Sequence, residues 1–229
     1  DWSSAVCSSD LPRKPRLFEA IVRAAVERAG SVPVTVKFRK GTDDDHLTFL
    51  EAGRIAESVG AAAVSLHART AEQLYSGEAD WQQIREIVEA VEIPVIANGD
   101  VTDAVTATRC LKATGAAGVM IGRGAIGRPT LFHEIKRDLG WSNGKPPWGV
   151  DDPAVARHWC WERYIELSSE LYREHGNKTL KRHAASFTKG LPGASAMRVE
   201  LHSIHDQRRL GQRVSEYLEG LACPTGAVA

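Results

Sequence analysis

The chain has 229 residues, of which 43% are hydrophobic and 25% are charged, and its formal net charge is zero at pH 7. This composition is typical of a soluble globular protein that forms one large domain, or one domain with a smaller companion. The zero net charge excludes a chain that is basic overall, so any affinity for nucleic acid must come from a local patch.

No apolar run approaches the ~18 residues that a membrane helix needs. The first residues have neither the basic start nor the apolar core of a secretory signal. The four cysteines show no CxxC spacing, which argues against a zinc site or a disulfide framework. We therefore expect a cytoplasmic protein with reduced, packed thiols, no metal and no membrane partner.

Residues 1–11 show no periodicity and closely resemble one reading frame of a common sequencing adapter, departing from it at Ala5. We exclude them from fold reasoning as an assembly scar. On that interpretation native sequence begins near Pro12, and the preceding part of the gene is missing. The alternative is a natural N-terminus without fixed structure.

After Pro12, apolar residues at helical spacing alternate with short apolar runs. Helices are predicted over 16–29, from 42–45 to Gly60, after an Asp80 cap, and from Thr102 and Asp103 to Gly115. Strands are predicted after Pro33, over 61–66, after Pro94 and over 118–121. Strict alternation of strand and helix implies a parallel sheet with right-handed crossovers.

Each predicted strand leads into polar residues, of which Lys37, His67, Asn98 and Arg123 follow one another at intervals of 30, 31 and 25. Each interval suits one strand, one loop and one helix. Because α/β barrels place their active sites at the carboxyl ends of the strands, these residues predict a (β/α)8 TIM barrel and the position of its site.

Two of these strand ends suit an anion. In the run Asn98, Gly99 and Asp100, the glycine allows close approach of a ligand and its N–H can face an anion. An ordinary turn, with Asp100 helping to start the next helix, is the alternative. After the last strand, Gly122 and Arg123 lie where this fold usually binds phosphate, which a guanidinium can hold bidentately. The alternative for Arg123 is a bridge to surface carboxylates.

The other two strand ends carry Lys37 and His67. Lys37 lies in an otherwise apolar strand and could stabilise an anionic intermediate or an electron-rich cofactor ring. The alternative is that it extends to the rim of the sheet. His67 could contact a ligand or donate a proton, and it could equally be a structural histidine with its hydrogen bonds satisfied.

The remaining third of the chain differs in character. Residues 141–152 are rich in Gly and Pro and predict a linker. Helices are predicted over about 153–174, 178–188, 194–204 and 208–219, which gives a small all-α domain over 153–222 and a tail over 223–229. Residues 173–213 hold nine Lys or Arg against three Asp or Glu. Such a run suits RNA phosphates, although a solvated surface face is the commoner outcome.

The succession VKFRKG, HART, ANGD and IGRG closely resembles the second half of the tRNA-dihydrouridine synthases, in particular the bacterial B-type group. The resemblance extends through YSGEADW, GAIGRPTLF and KRHAASFTKGLPGA, and it covers essentially everything after Pro12. Ala68 departs from the family, which usually has glycine between the His and the Arg. The resemblance implies barrel strands 5 to 8, so that 12–140 form the C-terminal half of an FMN-binding TIM barrel.

The family's chemistry implies roles for these residues. Lys37 contacts the isoalloxazine ring of FMN and His67 lies beside the flavin and the uracil. NADPH reduces the flavin, which delivers hydride to C6 of a tRNA uridine, and a loop cysteine protonates C5. The phosphate of FMN is held by a set of five residues: Asn98, Gly99, Asp100, Gly122 and Arg123. In the helical domain the residues that bind tRNA are Lys178, Lys181, Arg182 and Lys189.

The family's Asn-x-Gly-Cys-Pro motif, which carries the catalytic cysteine, is absent, and Cys7 lacks its flanking Gly and Pro. We therefore expect no catalytic residue in this chain, with His67 as a contact to substrate or flavin, and an inactive fragment of a protein that is monomeric at full length. Two other classes remain open: another FMN barrel, similar to dihydroorotate dehydrogenase, and a non-catalytic RNA-binding protein that kept the fold.

Overall fold

A computed structural model describes residues 11–150, 152–172 and 179–222. The chain divides into two compact units, with the boundary between Gly122 and Arg123. The first unit holds a four-stranded parallel sheet with strand order β1-β2-β3-β4, which confirms the predicted α/β class with its parallel sheet. Its elements in chain order are α1 (Pro15–Ala29), β1 (Thr35–Arg39), α2 (Phe49–Ser58), β2 (Ala63–His67), α3 (Trp81–Ala90), β3 (Val95–Asn98), α4 (Ala104–Thr114) and β4 (Gly118–Met120).

The register of the sheet separates an apolar face from a polar one. Side chains alternate along a strand, so every second residue lies on the same face. One face carries Phe38, Val64, Leu66 and Ala97, each at most 4% exposed, and Phe18 of α1 meets Phe38 edge-on. The opposite face carries two paired rows of residues. The first row is Lys37, Ser65, Ile96 and Gly118, and the second is Arg39, His67, Asn98 and Met120.

Two predicted helix starts are confirmed. Asp80 accepts a hydrogen bond from the amide of Gln82 at the start of α3. At α4, Asp103 and Thr106 form a reciprocal capping box, and Gly115 ends the helix in the left-handed conformation that favours glycine.

The predicted start of α2 at 42–45 is wrong, because these residues form a turn and the helix begins at Phe49. The Thr42 amide donates to the His46 carbonyl, and Gly41 makes an antiparallel bridge with Leu47. The Asp43 carboxylate accepts a hydrogen bond from the Asp45 amide. Aspartate competes with helix formation by bonding nearby main chain in this way, so the acidic run stabilises a turn instead of a first helical turn.

The regular elements described in the second unit are helices: a 3₁₀ turn at Arg123–Ala125, α5 (Leu131–Asp138), α6 (Pro153–Leu171), α7 (Leu180–Thr188), α8 (Ala194–Ser203) and α9 (Gln207–Ala222). Trp161 is fully buried in the core of this unit, and its indole N–H donates to the Gly211 carbonyl. The predicted linker over 141–152 is free of helix and strand where the structure describes it.

Residues 123–139 group with the helices of the second unit, although the predicted boundary of the barrel lies at 140. Gly127 shows one reason, since a Cβ there would lie 2.5 Å from the carbonyl carbon and oxygen of Ser186 in α7. A glycine with φ of +78° therefore lets the segment after β4 pack directly on a helix of this unit.

The prediction of packed thiols is confirmed for the two cysteines that the structure describes. Cys110 in α4 and Cys160 in α6 are free and buried, and burial raises the pKa of both thiols to about 11. Cys7 and Cys223 lie outside the described residues.

We predict that Gly41→Ala destabilises the chain by about 2 kcal/mol, a cost typical of overpacking. A Cβ at Gly41 would lie 2.2 Å from the His46 carbonyl oxygen, which is main chain that cannot rotate away. The control is Gly220→Ala, where a Cβ meets nothing within 4 Å and alanine favours the helix. Urea unfolding of both variants measures the difference, and equal stabilities would contradict the tight turn.

Candidate functional site

The polar face of the sheet concentrates positive charge near the strand ends. Lys37 and Arg39 lie two residues apart on β1, and the same face of β2 carries His67. Partial burial and the neighbouring Arg39 guanidinium lower the pKa of Lys37. The sheet therefore presents cations and hydrogen-bond donors in a group, as a site for an electron-rich or anionic ligand requires.

His67 is buried, with 8% of its surface exposed. Burial lowers the pKa of its imidazole to about 4, and the positive charges of Arg39, Lys37 and Arg69 act in the same direction. The ring is consequently neutral at pH 7, where it can donate one hydrogen bond and accept another.

Sequence reasoning missed Arg39 and Tyr75 as members of this group. Arg39 Nη1 donates to the carbonyls of Thr70 at 2.8 Å and Leu74 at 3.1 Å. The Tyr75 ring lies 6.0 Å from the Arg39 guanidinium and 6.4 Å from the His67 ring, measured between centres. Arg39 was detectable, because a spacing of two from Lys37 places both side chains on one face of a strand. Tyr75 gave no such signal, since it lies in a loop.

The end of β3 forms a tight turn. The Asn98 side-chain amide donates to the Met120 carbonyl at 2.8 Å and ties the ends of β3 and β4 together. Gly99 has φ of +124°, and a Cβ there would lie 2.6 Å from the Cβ of Ala79. Only glycine fits this position, as expected for a turn that brings main chain close to a ligand.

Asp100, also predicted to hold the phosphate, has its carboxylate engaged within the protein. Arg69 Nη2 donates to both carboxylate oxygens at 2.8 Å, and the Ala79 amide donates to one of them at 2.7 Å. The side chain of Arg69 is 2% exposed. Asp103, not Asp100, caps α4, and a phosphate-holding role for Asp100 stays a prediction.

The two residues predicted after β4 fall on either side of the unit boundary. Gly122 closes the first unit, and a Cβ there would meet nothing within 4 Å, so its backbone is open to approach. Arg123 begins the 3₁₀ turn of the second unit. The structure thus brings Lys37, His67 and the 98–100 turn to one sheet, and a phosphate contact by Arg123 stays a prediction.

The residues predicted to bind RNA are placed only in part. Lys181 Nζ on α7 donates to the His202 carbonyl at 2.8 Å, whereas Arg182 is exposed. Lys189, also exposed, follows α7, and its carbonyl accepts a hydrogen bond from Arg157. Lys178 lies outside the described residues. An RNA-binding role for this group stays a prediction.

Two further observations concern only the part of the chain that the structure describes. In that part, no group of three or more His, Cys, Asp or Glu side chains is arranged to hold a metal ion. Likewise, none of the helices described is both long enough and apolar enough to cross a membrane.

We predict that His67 makes stability fall as the pH is lowered from 6.5 towards 4. In that window the unfolded chain, with a histidine pKa near 6.5, binds a proton that the folded chain excludes. The contribution of the neutral ring is thus fully present above pH 6.5 and is lost as the pH falls. Urea unfolding at pH 7.5 and pH 4.5 should show a smaller loss in His67→Gln than in the wild type. An identical loss in both would contradict a buried neutral His67.

Comparisons with known proteins place this arrangement in context. The chain is 46% identical over 193 residues to a probable tRNA-dihydrouridine synthase of Mycobacterium tuberculosis, a match that covers 82% of this chain and 48% of the relative. A probable tRNA-dihydrouridine synthase of Rickettsia conorii is 34% identical over 219 residues, covering 94% of this chain and 63% of the relative. The chain spans about half to two thirds of the length of these relatives.

Among solved structures, a crystal structure of dihydrodipicolinate synthase matches with a TM-score of 0.40 and 13% identity, covering 89% of this chain and 82% of that chain. That similarity is too low to carry an argument. The sequence also matches the dihydrouridine synthase (Dus) family over residues 5–221, a stretch that begins within the segment set aside as a scar. The chain belongs to the dihydrouridine synthase family.

Proposed function

We propose that the intact protein is an FMN-dependent, NADPH-linked tRNA-dihydrouridine synthase of the bacterial B-type group, monomeric and cytoplasmic. It reduces uridine in tRNA to 5,6-dihydrouridine. The barrel half over 12–140 holds the cofactor, and the helical part over 153–222 binds the tRNA. The observation that carries the proposal is the group of Lys37, Arg39, His67 and Asn98 on one face of a parallel sheet in a chain of this family.

The donor set on this face fits a flavin mononucleotide. The flavin ring accepts hydrogen bonds and becomes electron-rich on reduction, which suits the cations of Lys37 and Arg39. The phosphate suits main-chain N–H groups at glycines, and both Gly99 and Gly122 lie at strand ends. Bound FMN would supply the hydride chemistry that no amino-acid side chain provides.

The chain's own residues would bind the flavin and the base and orient them. Lys37 places its ammonium on the face that would receive the ring, and His67 supplies a neutral hydrogen-bonding group beside it. Asn98 is held in one orientation by its bond to the Met120 carbonyl, which fixes the strand end next to the 99–100 turn. Tyr75 adds an exposed aromatic ring near His67, suited to stacking on a base.

The helical part supplies charge for a nucleic acid. Residues 173–213 carry a net charge of +6 within a chain whose total is zero. Lys181 and Arg182 on α7 and Lys189 after it belong to this excess. Because phosphate contacts dominate affinity for RNA, a local excess of this kind supports binding of tRNA. Chemistry on a base in folded RNA requires that the uridine be flipped out of its stack.

Two rival functions make different demands. A flavin barrel acting on a small molecule, similar to dihydroorotate dehydrogenase, has no need of the basic helical part. A non-catalytic RNA-binding protein has no need of the flavin donor set. Flavin binding therefore excludes the second rival, and reduction of tRNA uridine rather than orotate by the intact protein excludes the first.

We predict that the 229-residue chain binds FMN more tightly than riboflavin, because the phosphate adds contacts. Lys37→Met should lower the affinity for both flavins by about tenfold, since its ammonium faces the ring that they share. Quenching of flavin fluorescence measures both affinities. Lys112→Met, an exposed lysine of α4, is the matched control. Equal affinity of Lys37→Met and wild type would contradict the ring contact.

We predict that charge reversal at Lys181 and Arg182 weakens binding of unmodified tRNA transcript and flattens its dependence on salt. Each lost phosphate contact lowers the slope of log affinity against log salt concentration by about one. Filter binding at several salt concentrations measures the slope. Lys112→Glu, which carries the same change outside the helical part, should keep the wild-type slope. Unchanged binding by the double variant would contradict an RNA-binding role.

A further inference from the structure

The turn after β3 adopts a backbone conformation that needs support. Gly99 and Asp100 are consecutive residues with positive φ, at +124° and +55°. Left-handed backbone is unfavourable for an L-amino acid such as aspartate, so surrounding contacts must hold it. Under the proposed function, on which this inference rests, the same turn presents its main chain to the phosphate of FMN.

Three residues between β2 and the first turn of α3 donate hydrogen bonds to the turn: Arg69, Ala79 and Trp81. The Trp81 indole N–H donates to the Gly99 carbonyl at 3.1 Å. The Ala79 amide and the guanidinium of Arg69 both bind the Asp100 carboxylate. The Cβ of Ala79 also packs so closely against Gly99 that a side chain at position 99 would have no room.

Arg69 ties this turn to a second segment. Its Nη2 also donates to the Gly77 carbonyl at 2.6 Å, and its Nε donates to the Ser76 carbonyl at 3.1 Å. One buried guanidinium thus joins the loop after β2 to the turn after β3. The guanidinium places these donors on two separate nitrogens, Nε and Nη2, whereas a lysine offers all its donors from one atom.

The charge of the pair matters as much as its geometry. An unneutralised carboxylate one residue from Gly99 would repel a phosphate dianion. The contacts of Arg69 Nη2 with both carboxylate oxygens neutralise that charge and hold the carboxylate within the protein. Asp100 can then fix the backbone of a phosphate-binding turn without opposing the phosphate.

We infer that Arg69 is a positioning residue for phosphate recognition: through Asp100 it holds the left-handed turn at Gly99 and Asp100 in the conformation that receives the phosphate of FMN. Its contribution is specific to the phosphate and does not extend to the flavin ring. The preference for FMN over riboflavin, which share the ring and differ in the phosphate, isolates that contribution.

The test compares both flavins in three variants of the 229-residue chain. Asp100→Asn keeps the size and the tolerance of positive φ but removes the charge, and Arg69→Lys keeps the charge but removes the fork. Both should lower FMN affinity by about tenfold and leave riboflavin affinity unchanged. Asp103→Asn makes the same chemical change three residues away, where asparagine caps a helix as well as aspartate, and should keep the wild-type preference.

Each outcome is decisive. A loss of FMN affinity with riboflavin affinity retained supports the inference and shows that the variant is folded. Equal losses for both flavins, or no loss for FMN, overturn it and leave the proposed function standing. A wild-type chain that shows no preference for FMN overturns the proposed phosphate site itself, and the inference with it.

Discussion

The in-register pairing of four parallel strands is the constraint on which the site depends. Pairing of Arg39 with His67, of His67 with Asn98, and of Asn98 with Met120 sets four side chains side by side at the same edge. A shift of one residue in any strand would turn its polar residue towards the helices and an apolar one towards the site. The apolar face formed by Phe38, Leu66 and Ala97 makes such a shift costly, so the core that stabilises the sheet also fixes the site.

The cations on one face of the sheet also affect the pKa values of the side chains around them. Burial, and after it the guanidinium of Arg39, lowers the pKa of both Lys37 and His67. Burial therefore keeps the His67 imidazole neutral and the surrounding positive charge adds to that effect, so a ligand with negative charge would relieve the repulsion. The carboxylate of Asp100 acts in the opposite direction and raises the pKa of His67, but it does not outweigh burial and the three cations.

Sequence patterns predicted the structural features that depend on local periodicity. They failed for features that are determined by contacts between residues distant in the sequence. The alternation of strand and helix, the caps at Asp80 and Asp103 and the polar strand ends follow from local propensity, and the structure shows them. The start of α2 was wrong because the acidic run suited a helix and a turn equally, and the close packing of Gly41 against His46 selected the turn. The role of Arg69 was invisible because its partners lie 7 to 31 residues away and most are main-chain carbonyls, which leave no trace in a sequence.

The loop over 70–77 is anchored by hydrogen bonds from two arginines to its main-chain carbonyls. Arg39 binds the carbonyls of Thr70 and Leu74, and Arg69 binds those of Ser76 and Gly77. Every residue has a carbonyl, so these anchors specify the path of the loop without specifying the side chains that it carries. Positions such as Glu72 and Tyr75 can therefore change while the backbone beneath them keeps its course. Because the two arginines hold the main chain, side chains at the rim of the site can be substituted, and the ligand that they contact can change, without a change in the fold of the loop.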